Sequence, residues 1–150
     1  MTAQLKSHSV GQTLVLTLSN PEYRNALGPE IYSAGIEALN AAESNNDIRS
    51  VVITGEGAHF SAGGNLNRLL NNRQLPPEHQ AQSIEALHGW LETITTFPKP
   101  VLAAVEGAAA GAGFSLALTC DFLIAARNSV FVMAYSNVAL SPDGGGSWQL

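Results

Sequence analysis

The chain has 150 residues, 45% of them hydrophobic, which supplies one domain-sized core and excludes a disordered or fibrous polypeptide. Seven Lys and Arg against twelve Asp and Glu give a formal charge of -5, and no basic run of five occurs, so a general nucleic-acid binder is excluded. One cysteine, Cys120, makes neither an internal disulfide nor a CxxC pair, which fits a reducing cytoplasm and a small buried hydrophobe.

The opening Met-Thr-Ala-Gln-Leu-Lys lacks the long apolar core of a secretory leader. Residues 4–9 are expected to form an edge strand pairing with a β-branched and leucine strand at 13–18, across a turn at Val10-Gly-Gln12. Ser19-Asn-Pro21 closes that second strand. Pro29 suits the first turn of a helix, in which Ile31, Ala34, Ala38 and Ala42 recur at helical spacing until Asn45-Asn-Asp47 ends it. Residues 50–55, Ser-Val-Val-Ile-Thr-Gly, read as a strand apolar enough to be covered on both faces. Leu66, Leu69 and Leu70 mark a short helix capped by Asn65, and 71–77 is a polar surface connection. The clearest helix spans 78–96, where Ile84, Leu87, Leu91 and Ile94 step along one face before Pro98 and Pro100 stop it.

A strand at 101–105, a buried helix at 112–119, and short strands at 122–125 and 130–133 follow, and 145–150 opens like the first turn of a helix. Residues 101–126 are the one membrane candidate. Glu106 and Asp121 leave only fourteen uncharged residues between them, short of the roughly 18 needed to span a bilayer. Alternating strand and helix predicts a single α/β domain with largely parallel pairing over 1–150, and no repeat is visible in the sequence.

Two glycine-rich segments carry the chemistry. Phe60-Ser-Ala-Gly-Gly-Asn-Leu66 and Gly107-Ala-Ala-Ala-Gly-Ala-Gly113 each follow an apolar strand and open into a helix, so two sets of backbone N–H groups can point into one pocket. N–H groups at helix starts stabilise a carbonyl oxygen that is becoming negative. Small residues there let a ligand approach the backbone. Asp143, within Ser141-Pro-Asp-Gly-Gly-Gly146, is the candidate proton-moving group, because a carboxylate buried in an apolar pocket serves as both base and acid near neutral pH. Gly113-Phe-Ser115-Leu-Ala117 is one residue from the G-x-S-x-G nucleophile elbow, yet Ser115 falls inside a helix. His8, His59, His79 and His88 all precede it and read as surface or loop residues. No GK[ST], no G-x-G-x-x-G after a strand and no metal-ligand cluster occurs.

Together the two glycine segments and the Pro-Asp-Gly motif resemble the enoyl-CoA hydratase/isomerase (crotonase) family, from about Leu14 to Leu150. Gly-Ala-Gly-Phe-Ser-Leu-Ala and Ser-Pro-Asp-Gly-Gly-Gly-Ser-Trp look most like its branch handling phenylacetyl-CoA catabolites, the isomerases and oxepin-CoA hydrolase-like enzymes. The resemblance implies an α/β spiral of strand–strand–helix units, and a further C-terminal helical region that these residues do not include. Matched residue by residue, it makes the backbone N–H groups of Gly64 and Ala112 the oxyanion donors and Asp143 the proton shuttle. It places Arg24, Ala26, Ala62, Asn65 and Leu66 along the coenzyme, with Arg24 against a phosphate, and Tyr135 where it can position a hydroxyl or water. Asn65 stands where relatives commonly have an aspartate. Family hydratases hold a water between two glutamates, and Ser115 and Tyr135 stand at those two places. One acid suffices for a proton shuttle between two carbons, whereas adding water uses a pair. Isomerisation of an enoyl-CoA is therefore the favoured reaction, with an enoyl-CoA hydratase, a non-catalytic acyl-CoA binder and, last, a serine hydrolase as alternatives. The resemblance also implies no cofactor beyond the coenzyme A of the substrate, no metal, no nucleic-acid or membrane partner, a cytoplasmic location, and a homotrimer or dimer of trimers.

Overall fold

The computed structural model describes residues 3–150. Strands β1 (Gln4–Val10), β2 (Thr13–Ser19), β3 (Ser50–Gly55), β4 (Val101–Val105), β5 (Ala108–Ala110), β6 (Phe122–Ala125) and β7 (Val130–Val132) alternate with helices. The helices are α1 (Pro29–Glu43), α2 (Leu66–Asn72), α3 (Pro77–Thr96), α4 (Ala112–Thr119) and α5 (Gly146–Gln149). The larger sheet runs β1-β2-β3-β4-β6, parallel throughout except for the antiparallel β1–β2 hairpin at its edge. Parallel neighbours need a crossover between them, and each crossover here carries a helix.

A second, smaller layer explains the shape. β5 pairs with β7 in parallel, Ser61 bridges Ala109, and Leu27 bridges Gly64. Each turn of chain thus gives one strand to the large sheet, one short extended stretch to the small layer, and then a helix. Four such turns, starting at β2, β3, β4 and β6, make a spiral. No repeat is visible in the sequence because the turns share backbone pairing, not side chains. The second glycine segment is correspondingly not a plain loop, since its Ala108–Ala110 stretch is strand β5.

The core lies between the large sheet and α1, α3 and α4, with Leu16, Leu18, Ile53, Val101, Trp90 and Leu116 fully buried. Two expectations about burial change. β3 buries Val51 and Ile53 on one face only, and Val52 between them is half-buried. α1 turns Ile31, Gly35, Leu39 and Ala42 inward rather than Ala34 and Ala38, because Gly35 lies under Trp90, where a Cβ would come 2.2 Å from the indole Nε1. β6 is exposed at all four residues, with Phe122 and Ile124 each 62% accessible. α2 runs on to Asn72, so the polar connection before α3 is shorter than 71–77. Among the described residues no helix is long and apolar enough to cross a membrane.

Candidate active site

The two glycine segments run side by side. Ser61 N–H donates to the Ala108 carbonyl at 3.0 Å and Ala110 N–H donates to the Ser61 carbonyl at 2.9 Å, so residues 61–63 lie along β5. Gly63 then turns with φ of 87°, a conformation that favours glycine, and packs so closely that a Cβ would meet the Ala110 oxygen at 2.6 Å and the Ala112 nitrogen at 3.0 Å. The peptide leading into Gly64 therefore adjoins the first residue of α4. Gly113 is pressed against Ser61 in the same way, its missing Cβ falling 2.6 Å from the Ser61 oxygen. Ala112 is the first residue of α4, so its N–H has no intrahelical acceptor, and Gly64 precedes α2. Among the described residues no hydrogen bond uses either N–H as a donor. Both amides remain available to an oxygen from outside the chain.

Asp143 lies beyond the start of α4, half-buried rather than sealed in. Its Oδ1 accepts the Tyr135 hydroxyl at 2.7 Å, that hydroxyl is 3.0 Å from Ser115 Oγ, and Ser115 Oγ also donates to the Asp143 carbonyl at 3.1 Å. Ser115 is wholly buried in α4 and Tyr135 nearly so, in a 3-10 turn at Ala134–Val138. The Tyr135 ring lies beside Gly111, immediately ahead of Ala112, which links this triad to the glycine segments. Burial pushes the Tyr135 phenol above its ordinary range, and the Asp143 carboxylate accepting its proton pushes it the same way, against the opposing pull of Ser115. The phenol is therefore a standing donor to the carboxylate. Ser115 makes these cross-contacts from the second turn of α4, with no histidine among its hydrogen-bond partners, which is not the geometry of a nucleophile elbow.

The residues matched to coenzyme binding adjoin one another through the 20–28 loop and the first glycine segment. Ala62 N–H donates to the Arg24 carbonyl at 2.9 Å, and Leu27 N–H donates to the Gly63 carbonyl at 2.7 Å, which joins the 20–28 loop to the first glycine segment. Ala26 is buried, while Arg24 and Leu66 are exposed. Asn65 caps α2, accepting Arg68 N–H on Oδ1 at 3.1 Å. An open pocket of about 200 Å³ lies here, lined by Asn20, Tyr23, Ala26, Gly28, Asn65 and Arg68 among others. The Nε and Nη1 of Arg68 are buried without a hydrogen-bond acceptor among the described residues. Tyr32, whose ring is tilted at 34° to that of Trp90 with centroids 6.1 Å apart, has its phenol raised by burial, with the Arg68 guanidinium opposing and the Asp143 and Glu30 charges reinforcing. Arg68, Tyr32 and Asp143 thus share one electrostatic neighbourhood.

The sequence profile of the enoyl-CoA hydratase/isomerase family matches residues 9–150. The chain belongs to that family. Among its relatives, 1,2-epoxyphenylacetyl-CoA isomerase of Escherichia coli (strain K12) is 40% identical over 145 residues, covering 96% of this chain and 55% of that protein. The 2,3-dehydroadipyl-CoA hydratase of the same organism is 34% identical over 140 residues, covering 93% of this chain and 52% of that protein. A crystal structure of an enoyl-CoA hydratase from Polaromonas sp. JS666 superposes with a TM-score of 0.96 at 75% identity, covering 97% of this chain and 57% of that one. The chain spans about half the length of the curated relatives it matches. Its fold is the crotonase fold, as the spiral of strand, strand and helix expects.

Several residues of this crotonase-fold chain do structural work that the sequence reading passed over. Asn25, buried and left-handed at φ of 55°, accepts Asn20 N–H and donates to the carbonyls of Glu56 and His59 at 2.9 and 2.8 Å. Ser61 Oγ donates to the Asn25 carbonyl at 2.8 Å and accepts Gly63 N–H at 3.1 Å. His59 and His88 are not idle surface residues: Nδ1 of His59 accepts Ala108 N–H and Nε2 of His88 accepts Gly144 N–H, each at 3.2 Å. The signal for Asn25 was present, since asparagine is among the few residues that tolerate the left-handed region. For the histidines there was none, because their partners lie 49 and 56 residues away in sequence.

Proposed function

We propose that this chain forms the catalytic half of an acyl-CoA enzyme that isomerises the double bond or ring of an enoyl thioester, with Asp143 as the single proton shuttle. The thioester oxygen sits between the N–H groups of Gly64 and Ala112, where both amides lack an acceptor within the chain. Asp143 as carboxylate takes a proton from one carbon of the acyl group, the electron pair moves onto the thioester oxygen as an enolate, and the two amides stabilise it. The protonated Asp143 then returns that proton to a second carbon and the carbonyl re-forms, so nothing is consumed but the position of the double bond. Tyr135 occupies Oδ1 of the carboxylate, which leaves Oδ2 to carry the proton.

The observation that carries the isomerase reading is the Ser115–Tyr135–Asp143 triad. At the two places where the family resemblance puts a water-holding pair of glutamates, two hydroxyls lie 3.0 Å apart and each donates to Asp143. Neither hydroxyl is a carboxylate able to activate water while a partner delivers a proton. The coenzyme runs past Arg24, Ala26, Ala62, Asn65 and Leu66 into the pocket beside Arg68, whose unpaired N–H groups offer donors there. The homotrimer or pair of trimers implied by the family belongs to this proposal too. A second reading, hydration, draws on the likeness to the enoyl-CoA hydratase of Polaromonas.

An Asp143→Asn variant separates these readings. We expect it to keep acyl-CoA affinity within about threefold and to lose both double-bond migration and exchange of the acyl protons with heavy water by at least about 100-fold, the scale of a removed acid–base group. Turnover persisting in that variant contradicts the shuttle. Wild-type product that has gained oxygen-18 from labelled water selects the hydratase, and tight acyl-CoA binding with no turnover of any kind selects the non-catalytic binder.

A further inference from the structure

The Asp143–Gly144 peptide is held at both of its polar ends by two different helices. Its carbonyl oxygen accepts Ser115 Oγ of α4 at 3.1 Å, and its N–H donates to His88 Nε2 of α3 at 3.2 Å. Gly144 follows at φ of 60°, and a Cβ there would meet Leu91 of α3 at 2.9 Å and Ser115 of α4 at 3.0 Å, so the turn is wedged between the same two helices. His88 and Leu91 are three residues apart and share the face of α3 beneath it. A peptide next to a glycine at positive φ flips readily, because reversing its plane changes only the two soft torsions on either side. Flipping it here would swing the Asp143 backbone away from the Tyr135 hydroxyl that fixes Oδ1.

We infer that His88 is a positioning residue, whose Nε2 lone pair pins the Asp143–Gly144 peptide and thereby aims the proton-shuttling carboxylate. Nothing on this ring touches substrate. The bond requires the ring nitrogen to be an acceptor, so His88 serves as the neutral Nδ1–H tautomer, and it does so from an exposed site where substitution leaves the core undisturbed. The inference rests on Asp143 being the shuttle, and its test reads the peptide directly so that the two claims fail separately.

The test compares His88→Leu with His88→Gln, whose side-chain oxygen reaches the place of Nε2 and restores the acceptor. Hydrogen exchange at the Gly144 amide is expected to speed up in the leucine variant and to return toward wild type in the glutamine variant. On an isomerisable enoyl-CoA the leucine variant is expected to lose about threefold to tenfold in kcat, the scale of one lost neutral hydrogen bond, with KM within about twofold and recovery in the glutamine variant. Unchanged Gly144 exchange in the leucine variant, or leucine and glutamine variants that behave alike, overturns the role of His88. An altered Gly144 exchange with unaltered kcat also overturns it, while loss of the shuttle itself is read from Asp143→Asn alone.

Discussion

At the scale of single residues, the decisive feature is a carboxylate held by a phenol that will not give up its proton. The raised Tyr135 pKa follows first from burial and then from Asp143, which accepts the phenolic hydrogen and is itself a negative charge. The sign of its effect on stability is set by that direction. A tyrosine raised in the folded state contributes its stabilisation in full below the ordinary tyrosine pKa of about 10 and loses it as pH climbs above that value. Tyr32 is raised by burial and adds to the same alkaline loss. Urea midpoints measured from pH 8 to 11 should therefore fall at the alkaline end, and Tyr135→Phe should flatten that fall. The same substitution should lower kcat by about tenfold or more at neutral pH, since hydrogen bonds to charged groups are worth about 1.5 to 3 kcal/mol. A Tyr135→Phe protein with an unaltered alkaline profile would mean that the phenol ionises freely. Asp143 itself stood out in the sequence, because Pro-Asp-Gly is a short local signal. Ser115 and Tyr135 were marked by the family resemblance, but how the turn is held was not legible, since Ser115 reaches Asp143 from 28 residues away and His88 reaches Gly144 from 56, and sequence periodicity records only near neighbours.

Among the secondary-structure elements, α1 shows where pattern and packing part company. Its alanines at 34 and 38 have the spacing of a buried stripe, yet the helix is rotated so that Gly35 receives the face of Trp90. Size decides this, not hydrophobicity, and a hydrophobic pattern carries no information about the shape of the partner helix. Gly35→Ala should gain about 1 kcal/mol in helix propensity. It should lose more, because three Trp90 ring atoms lie within 2.8 Å of the new Cβ and overpacking costs about 1 to 3 kcal/mol. Net destabilisation of up to about 2 kcal/mol in urea unfolding is expected, and a stabilised Gly35→Ala protein would mean that α1 and α3 sit further apart. β3 and α3, by contrast, are close to their expected bounds, since a run of β-branched residues and a long apolar step flanked by prolines are local signals. α3 then does double service, burying Leu87, Trp90, Leu91 and Ile94 while the exposed His88 reaches the turn that carries Asp143.

Over the whole molecule, a spiral brings together segments that are distant along the chain. Each turn places a short extended stretch in the small layer, and the stretches of the second and third turns bring Gly64 beside the start of α4. Both glycine segments were conspicuous in the sequence, and so was their likeness to the family that the comparisons show. Their convergence was not legible from composition or periodicity, because it is a product of parallel pairing across crossovers. The repeat that produces it was hidden for the same reason. The central claim is that two free backbone amides polarise one thioester oxygen, and it can be read from the carbonyl itself. The infrared band of an enoyl-CoA labelled with carbon-13 at the thioester carbonyl should be recorded on the Asp143→Asn protein, which holds the ligand without turning it over. The band should move to lower frequency than that of the same thioester in water, because two preorganised donors weaken the C=O bond more than mobile solvent does. A bound band at or above the water frequency would contradict the claim.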